Sequence, residues 1–430
     1  MNYEQAVAYA DRHIRLGGEP GLERIRELLD LMGRPYDGYP LIHVAGTNGK
    51  TSTSRLATLI LVAHGLTTGT FTSPHLQSVE ERLAVNGRFS TPEEFALAIS
   101  DVASFADLRE DAGGVPNTYF ELMAAAALAY FADQAVNAAV LEVGLGGRLD
   151  ATNVVDADVC VVTSIGRDHT EFLGDDIAQI AGEKLAIAGP GSILVTGDLP
   201  EAAADVAVQK ARELGIQHWR FDADYGIENY ERGVGGWLAT FRGAEAEYQD
   251  VFLPLHGRFQ LDNLAMAIAA CEALLGRRLD VDALRDATAV ATAPGRMEPL
   301  ASAPFVMVDG AHNADGVATL VDSLQEEYPT TRWWVLLGVM GEKNVDLIIE
   351  HLQPVVAGVV TTAVDSPRAI KADALAWKVI EAIPDVTVLS SESVEYGLDM
   401  IRAEAGSEGA ILVTGSLYLV GEVRARLSHT

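Results

Sequence analysis

A lysine and two hydroxyl residues, Lys50, Thr51 and Ser52, directly follow a glycine-rich turn, Gly46-Thr47-Asn48-Gly49. The residues before the turn, 41–45, are mostly apolar and predict a buried strand, while the residues after it suit a helix. Such a strand, turn and helix direct several backbone N–H groups toward one point, which favours bound phosphate. In this arrangement Lys50 contacts the outer phosphates and the Thr51 hydroxyl contacts their magnesium ion.

The loop departs from the full nucleotide-triphosphate pattern, GxxxxGK, which requires a glycine at the position of Val44. It is therefore a shortened variant, and a chance surface turn is the alternative interpretation. The apolar strand in front of the loop favours the phosphate site.

A second candidate group lies in LEVGLGGRLDATN, residues 141–153. Glu142 ends an apolar run, where a solvated acid is out of place. Because the carboxyl ends of parallel strands open onto the ligand crevice, we expect Glu142 beside Thr51. Magnesium prefers hard oxygen ligands, so Glu142 is a candidate ligand. The glycines allow close backbone approach to a ligand, and Asp150 comes from the same loop. The alternative is an ordinary turn with a hydrogen-bonded acid.

Two further polar residues follow in the same half of the chain. His169, in TSIGRDHTEFLG, comes after another apolar run. This position fits contact with metal or phosphate as well as it fits a structural role. Lys184 lies in a predicted amphipathic helix, IAQIAGEKLAIAG, where a lysine normally extends to solvent. A functional role requires that it face the crevice, which spacing alone does not decide.

The C-terminal part repeats the strand–loop–helix pattern in VMVDGAHNADG, with Asp309 and His312 at the turn. Arg296 lies shortly before, in PGRME. If two sheets present their loops to a shared cleft, a nucleotide bound between the domains is the natural geometry.

The pattern of elements predicts an α/β fold with two domains. Apolar runs at 41–45, 67–72, 138–143, 159–165 and 193–196 alternate with helical stretches such as 92–105 and 119–133, which is typical of a mainly parallel sheet covered on both faces. Short alternating runs in 219–255 predict a small antiparallel sheet, followed by a helix at about 262–275. After a junction near Pro294, runs at 305–308, 333–339, 355–364, 386–389 and 410–413 predict a smaller, Rossmann-like domain. We therefore expect domains at 1–293 and 294–430.

Composition limits the classes of partner. The chain has 430 residues and a formal net charge of −30, so nucleic acid or an anionic membrane would meet repulsion. Neither a signal peptide nor an apolar run of ~20 residues is present in the sequence, so we expect no membrane span. The two cysteines, Cys160 and Cys271, lie in apolar contexts and are expected as free thiols of a cytoplasmic protein.

The order of these motifs resembles one family closely. HVAGTNGKTS, TSPHL, LEVGLGGRLDATN, TSIGRDHTEFLG, PGRME and DGAHN follow one another as in the folylpolyglutamate synthases and dihydrofolate synthases, a branch of the Mur ligase superfamily. The resemblance runs nearly from end to end. It implies a Mur-ligase-like P-loop ATPase domain followed by a ligase domain. It also implies an ATP-dependent ligase that joins L-glutamate to dihydropteroate or tetrahydrofolate through an acyl phosphate, and that is a monomer.

The resemblance also implies roles for individual residues, and it makes Lys50, His169 and Lys184 the candidate catalytic residues. The family's ATP contacts correspond to Gly46, Thr47, Asn48, Gly49, Lys50, Thr51, Ser52, Asn263, Arg296, Asp309 and His312. Its ligands for two or more Mg²⁺ ions correspond to Ser73, Glu142, His169 and Lys184, the lysine being carbamylated in the family, and the loop motif adds Thr51, where the family usually has glycine. Its pterin–benzoate pocket corresponds to Leu22, Glu23, Thr118, Tyr119, Phe120, Glu121, Leu149, Asp150 and Ala151.

Two alternatives stay open at this point. A Mur ligase acting on a UDP-linked cell-wall precursor carries a domain of about a hundred residues before the phosphate loop, where this sequence has about 45. A nucleotide-dependent binding module without ligase chemistry does not require Glu142, His169 and Lys184 together. The sequence does not distinguish dihydrofolate synthase from folylpolyglutamate synthase activity, or from both.

Overall fold

The computed structural model describes residues 1–15, 20–341, 343–364 and 366–427. The helices are α1 Tyr3–Arg12, α2 Glu23–Leu31, α3 Lys50–Ala63, α4 Pro92–Asp111, α5 Tyr119–Asp133, α6 Thr170–Leu173, α7 Ile177–Leu185, α8 Glu201–Leu214, α9 Phe259–Leu275, α10 Val281–Ala289, α11 Ala314–Glu327, α12 Val345–Leu352, α13 Ala372–Ala382, α14 Val394–Ala405 and α15 Leu417–Leu427. None of the helices in these ranges is long and apolar enough to cross a membrane.

The first sheet has eight strands within the described residues: β1 Leu41–Ala45, β2 Thr68–Phe71, β3 Leu83–Val85, β4 Arg88–Phe89, β5 Ala138–Glu142, β6 Val159–Val162, β7 Ile193–Thr196 and β8 Gln217–Arg220. Their order is β4-β3-β2-β5-β1-β6-β7-β8. Only the β2–β3 and β3–β4 pairs are antiparallel. The loops after β1, β2, β5 and β6 therefore meet at one edge of the sheet, as the sequence predicts.

Both faces of this sheet are buried. Successive residues of a strand point to opposite faces, so Leu41 belongs to the buried cluster that includes α4 and α5, while Ile42 belongs to the cluster that includes α3 and α9. All five residues of β1 are buried, including His43, which explains why the other four are apolar. The phosphate loop therefore starts from a strand that is fixed on every side.

A three-stranded antiparallel sheet covers part of the face that carries α9. It consists of β9 Gly226–Gly233, β10 Gly236–Arg242 and β11 Glu247–Leu253. The sequence predicted this sheet but began it at Trp219, which is wrong because Trp219 lies in β8. As an edge strand with exposed and half-buried residues, β8 resembles a hairpin strand in sequence although it pairs in parallel with β7.

The C-terminal sheet consists of β12 Glu298–Ser302, β13 Phe305–Val308, β14 Trp333–Leu337, β15 Val356–Thr362, β16 Thr387–Ser391 and β17 Ala410–Thr414. Its order is β12-β13-β17-β14-β15-β16, and only the β12–β13 pair is antiparallel. Buried clusters on its two faces draw on residues 297–423. The smaller doubly wound unit predicted from the sequence is therefore present, with one additional edge strand, β12.

Candidate active site

A cleft of about 880 Å³ lies between the two units. One wall is formed by the loops that follow β1, β2, β5 and β6, and by the first turns of α3 and α9. The other wall is formed by the loop after β13 and by α11. Loops from two sheets therefore face each other across one cavity, as the sequence predicts.

The phosphate loop depends on glycine at two positions. Gly46 and Gly49 have φ values of +150° and +87°. A Cβ atom on Gly46 would lie 1.9 Å from Oγ1 of Thr163, and one on Gly49 would lie 2.5 Å from Oδ1 of Asn263. The first turn of α3 begins directly after Gly49, so its free N–H groups face the cleft.

Two lysines bind the same carbonyl oxygen of this loop. Nζ of Lys50 donates to the oxygens of Gly46 at 3.0 Å and Thr47 at 3.1 Å. Nζ of Lys184, from α7, donates to the oxygen of Gly46 at 3.0 Å. Burial and then the charge of Lys50 lower the pKa of Lys184 to about 7, and burial lowers the pKa of Lys50. Lys184 thus faces the cleft, and its amine is partly uncharged near pH 7.

Glu142 lies beside Thr51, as expected from the sheet. Its side chain is buried, Oε1 accepts from the hydroxyl of Thr51 at 2.9 Å, and Oε2 accepts from the backbone N–H of Ser73 at 3.3 Å. Burial raises the pKa of Glu142, although the nearby Lys50 opposes the shift. The Ser73 hydroxyl is buried without a hydrogen-bond partner. Three oxygen-bearing side chains therefore meet at one point beside the phosphate loop.

His169 lies at the same edge, directly before α6, with φ of +51°. Its side chain is about one third exposed, and its ring nitrogens lie 3.9 Å from Oδ2 of Asp168 and 3.8 Å from Oε1 of Glu171. Burial lowers its pKa, so the neutral ring is available as a ligand. It lines the cleft together with Glu142 and Lys184.

The opposite wall contains the predicted residues of the C-terminal unit. The buried carboxylate of Asp309 accepts from the backbone N–H groups of Met297 at 2.9 Å and Ala311 at 2.7 Å. It thereby connects the PGRME turn to the loop after β13. Asn263, Arg296, Asp309 and His312 all line the cleft.

The predicted pterin-pocket residues do not form part of the same cleft wall. They lie mainly around α2, α5 and the loop after β5, and their environments differ from one residue to the next. Leu22 and Ala151 are buried in the core, and Glu23 and Leu149 are exposed. Thr118 and Glu121 form a capping box at the start of α5. Their role in pterin binding stays a prediction.

Three of these side chains have specific partners. Glu121 forms an ion pair of 2.8 Å with Arg24. Tyr119 lies under the guanidinium of Arg82, 5.4 Å from the ring centroid. Asp150 accepts from the backbone N–H groups of Leu145 at 2.8 Å and Thr152 at 3.0 Å, and burial raises its pKa.

Phe120 lies behind the loop after β5. Its ring centroid is 5.8 Å from that of Phe71, and a Cβ atom on Gly144 would approach its Cζ to 2.5 Å. The first glycine of VGLGG thus permits contact with this ring.

Sequence reasoning missed three polar residues at this site. Asp168 contacts two residues of the C-terminal unit: Asn313, which donates to it at 3.0 Å, and Lys343. Asp168 and Asn313 stand next to the predicted His169 and His312, so the motifs contained a signal. Lys343 lies 175 residues from Asp168, and its approach depends on how the units are placed.

Comparison with known families decides the relationship. The family model described as Mur ligase middle domain matches residues 44–271, and that described as Mur ligase, glutamate ligase domain matches residues 295–417. A dihydrofolate synthase/folylpolyglutamate synthase of Mycobacterium tuberculosis is 37% identical over 94% of this chain and 90% of its own length. The chain belongs to this family of Mur ligases. The Bacillus subtilis protein of the same name is 33% identical over 99% of both chains.

Solved structures agree with this assignment. Mycobacterium tuberculosis folylpolyglutamate synthase complexed with ADP has a TM-score of 0.94 at 36% identity, covering 99% of this chain and 98% of the other. Escherichia coli FolC in complex with DHPP and ADP has a TM-score of 0.88 at 30% identity, covering 99% and 98%. This Mur ligase family member is therefore an ATP-dependent ligase, and the predicted fold class and family are confirmed.

Proposed function

We propose that this enzyme joins L-glutamate to a pterin carboxylate, of dihydropteroate, of tetrahydrofolate or of both, with ATP as co-substrate. The observation that carries the proposal is the position of Glu142, Ser73 and Lys184 around the phosphate loop, opposite Arg296 and Asp309. The names of the relatives and the ADP and DHPP complexes support the substrate class.

The chemistry follows from the weakness of a carboxylate as an electrophile. A carboxylate oxygen attacks the γ-phosphorus of ATP, the bond to the β–γ bridging oxygen breaks, and an acyl phosphate and ADP result. The amine of L-glutamate then attacks the acyl carbon, loses a proton, and inorganic phosphate leaves with the C–O electron pair. Negative charge accumulates in the first step, so cationic groups and N–H donors around the phosphates lower the barrier.

The residues of the phosphate loop have defined tasks in this scheme. Free N–H groups at the start of α3 hold the phosphate oxygens, and Lys50 offsets their charge. Lys50 now donates to two loop carbonyls, so it exchanges these for phosphate when ATP binds. Arg296 lines the opposite wall and supplies a second cation from the C-terminal unit.

The donor set fits magnesium. No three His, Cys, Asp or Glu side chains within the described residues form a metal cluster, but Mg²⁺ takes few protein ligands and keeps several waters. Thr51, Ser73 and Glu142 would hold one ion, and the buried Ser73 hydroxyl without a partner supports this. His169 and Lys184 would hold a second. Bound there, magnesium supplies positive charge against the phosphate oxygens.

Carbamylation of Lys184 fits its surroundings as well. A neutral amine adds CO₂ and releases one proton, giving an anionic carbamate. The pKa of about 7 makes a substantial neutral fraction available at physiological pH. The product places a negative charge beside Lys50, where two cationic amines otherwise repel each other.

We also propose a division of the chain into an ATP-binding domain of residues 1–293 and a ligase domain of residues 294–430. The ranges of the two family models support it. A monomer in the cytoplasm fits a cleft built from a single chain and two free, buried cysteines.

Release of ADP tests the function. The purified enzyme with ATP and Mg²⁺ is given dihydropteroate or tetrahydrofolate, each with and without L-glutamate. We expect ADP release that depends on pterin and glutamate together, with an amide product of matching mass. If neither pterin supports turnover, the proposal is wrong. Turnover of a UDP-linked cell-wall precursor would support the other Mur ligase activity instead.

A further inference from the structure

Asp168 gathers donors from both sides of the cleft. Its side chain is 10% exposed and lies in the loop after β6. Oδ1 accepts from Nζ of Lys343 and, at 2.9 Å, from the backbone N–H of His169. Oδ2 accepts from Nδ2 of Asn313 at 3.0 Å and lies 3.5 Å from Nε2 of His312. Three of these four partners belong to the C-terminal unit.

Asn313 extends this contact to the phosphate loop. Its side-chain amide and that of Asn48 donate to each other at 3.2 and 3.3 Å. Oδ1 of Asn313 also accepts from the backbone N–H of Gly316 at 2.8 Å and caps α11. One side chain thus touches the phosphate loop, Asp168 and the first turn of α11.

Asp168 forms a buried ion pair with Lys343. Removing one partner of a buried charge pair leaves the other charge uncompensated, so such a pair is expensive to break. This buried ion pair therefore connects the two units directly beside the phosphate loop and His169, while Glu327 of α11 connects them elsewhere through His256 and Arg232.

We propose that Asp168 is a positioning residue of the ligase. It holds Lys343, His312 and Asn313 of the C-terminal unit against the phosphate loop, and so sets the arrangement of the two walls in which phosphoryl transfer occurs. The proposal rests on the proposed function for the reaction that it serves. It assigns Asp168 no contact with substrate.

A purely stabilising ion pair predicts a different result. Such a pair raises the free energy of unfolding and leaves the turnover of the folded enzyme unchanged. A positioning role predicts a loss in kcat in the folded enzyme, because a misplacement of about 1 Å can cost ~100-fold in rate. The two roles also differ in how the effects of two substitutions combine, since the effects of substitutions within one network are not additive.

The test uses Asp168→Asn, Asn313→Ala and the double variant in the full chain. We expect each single variant to lose ~100-fold in kcat, with the KM for ATP changed less than ~3-fold, and the double variant to lose no more than the worse single. Asp346→Asn is the control, because it breaks the exposed 2.7 Å ion pair with Lys378 in the same unit. Thermal unfolding confirms that each variant is folded.

Three outcomes overturn the proposal: kcat of both single variants within ~3-fold of wild type, losses that multiply in the double variant, or a loss that only follows the unfolded fraction. A second readout does not depend on turnover. Small-angle scattering with a non-hydrolysable ATP analogue and Mg²⁺ measures the radius of gyration, and Asp168→Asn should be less compact than wild type. Equal values also overturn the proposal. A wild type that turns over neither pterin contradicts the proposed function instead.

Discussion

Lys184 and Lys50 donate to the same carbonyl oxygen, that of Gly46, each at 3.0 Å. Two ammonium groups on one acceptor repel each other, and burial adds to the cost of charge on both. The structure relieves this by lowering the pKa of Lys184 to about 7. The Lys184 amine is therefore partly uncharged near pH 7. Beside a lysine that binds phosphate, such an amine is better suited to chemical modification than to neutralising phosphate charge.

We expect Lys184→Ala to bind ATP and to lose ligation by orders of magnitude, because the proposed carbamate ligand is missing while the phosphate loop is intact. Calorimetry with ADP and the ADP-release assay separate the two effects. Lys210→Ala on α8 is the control. Near-normal ligation by Lys184→Ala would refute the carbamate role.

The pH dependence of carbamylation provides a separate prediction. The lysine reacts with CO₂ only as a neutral amine, and its pKa in the folded protein is about 7 in place of 10.5. Labelling of the apoenzyme with ¹³CO₂ should therefore rise between about pH 6 and 8. In Lys184→Ala the ¹³C NMR carbamate signal should be absent. A signal that appears only above pH 9 would show that the amine is not perturbed.

Much of the site was predictable because each motif follows a buried strand. β1, β5 and β6 are mainly apolar, and their parallel arrangement brings Glu142 and His169 to the same cleft as Lys50 without further information. The direction of Lys184 was not predictable. Rotation of α7 by half a turn about its axis would expose Lys184, and only packing of Ile180, Ala181 and Leu185 into the core fixes the other face toward Gly46.

The second limit lies between the two units. Asp168 and Lys343 meet because two sheets, each folded around its own core, present loops to the same cleft. Local sequence determines the conformation of each loop but not the distance between the two loops. Trp219 shows a related limit. Its strand, β8, lies at the edge of the sheet, so this parallel strand has the mixed burial pattern of a hairpin strand.

Glu142→Gln should abolish turnover without destabilising the apoenzyme. The pKa of Glu142 is raised in the folded state, so the folded protein holds this proton more tightly, and stability falls as pH rises from 4.5 through the raised pKa. At pH 7.5 the neutral amide removes this cost, and the Tm should equal or exceed that of wild type. Increasing Mg²⁺ should not restore activity. Glu93→Gln, on the exposed side of α4, is the control; rescue by Mg²⁺ would contradict a ligand role.

Gly49→Ala should weaken ADP binding much more than Gly65→Ala. The two glycines have φ values of +87° and +86°, so both substitutions carry the same backbone strain, about 1–2 kcal/mol. Only the Cβ at position 49 meets a neighbour, Oδ1 of Asn263 at 2.5 Å, and the space around position 65 is open. Both variants should lose Tm from backbone strain, Gly49→Ala the more, and only Gly49→Ala should lose ADP affinity. Equal ADP affinities would show that the loop tolerates displacement from Asn263.

Phe120→Ala should raise the KM for the pterin substrate ~10-fold and leave the KM for ATP unchanged, because an aromatic surface contributes about 1 kcal/mol to stacking beyond its buried area. Phe120 lies against Phe71 and Gly144, outside the lining of the phosphate cleft. Phe105→Ala is the matched control, since Phe105 packs against the same core from α4. Initial rates at saturating ATP, with pterin varied, measure the effect. If both variants raise the pterin KM equally, the change reflects core packing, and the assignment of Phe120 to the pterin pocket is wrong.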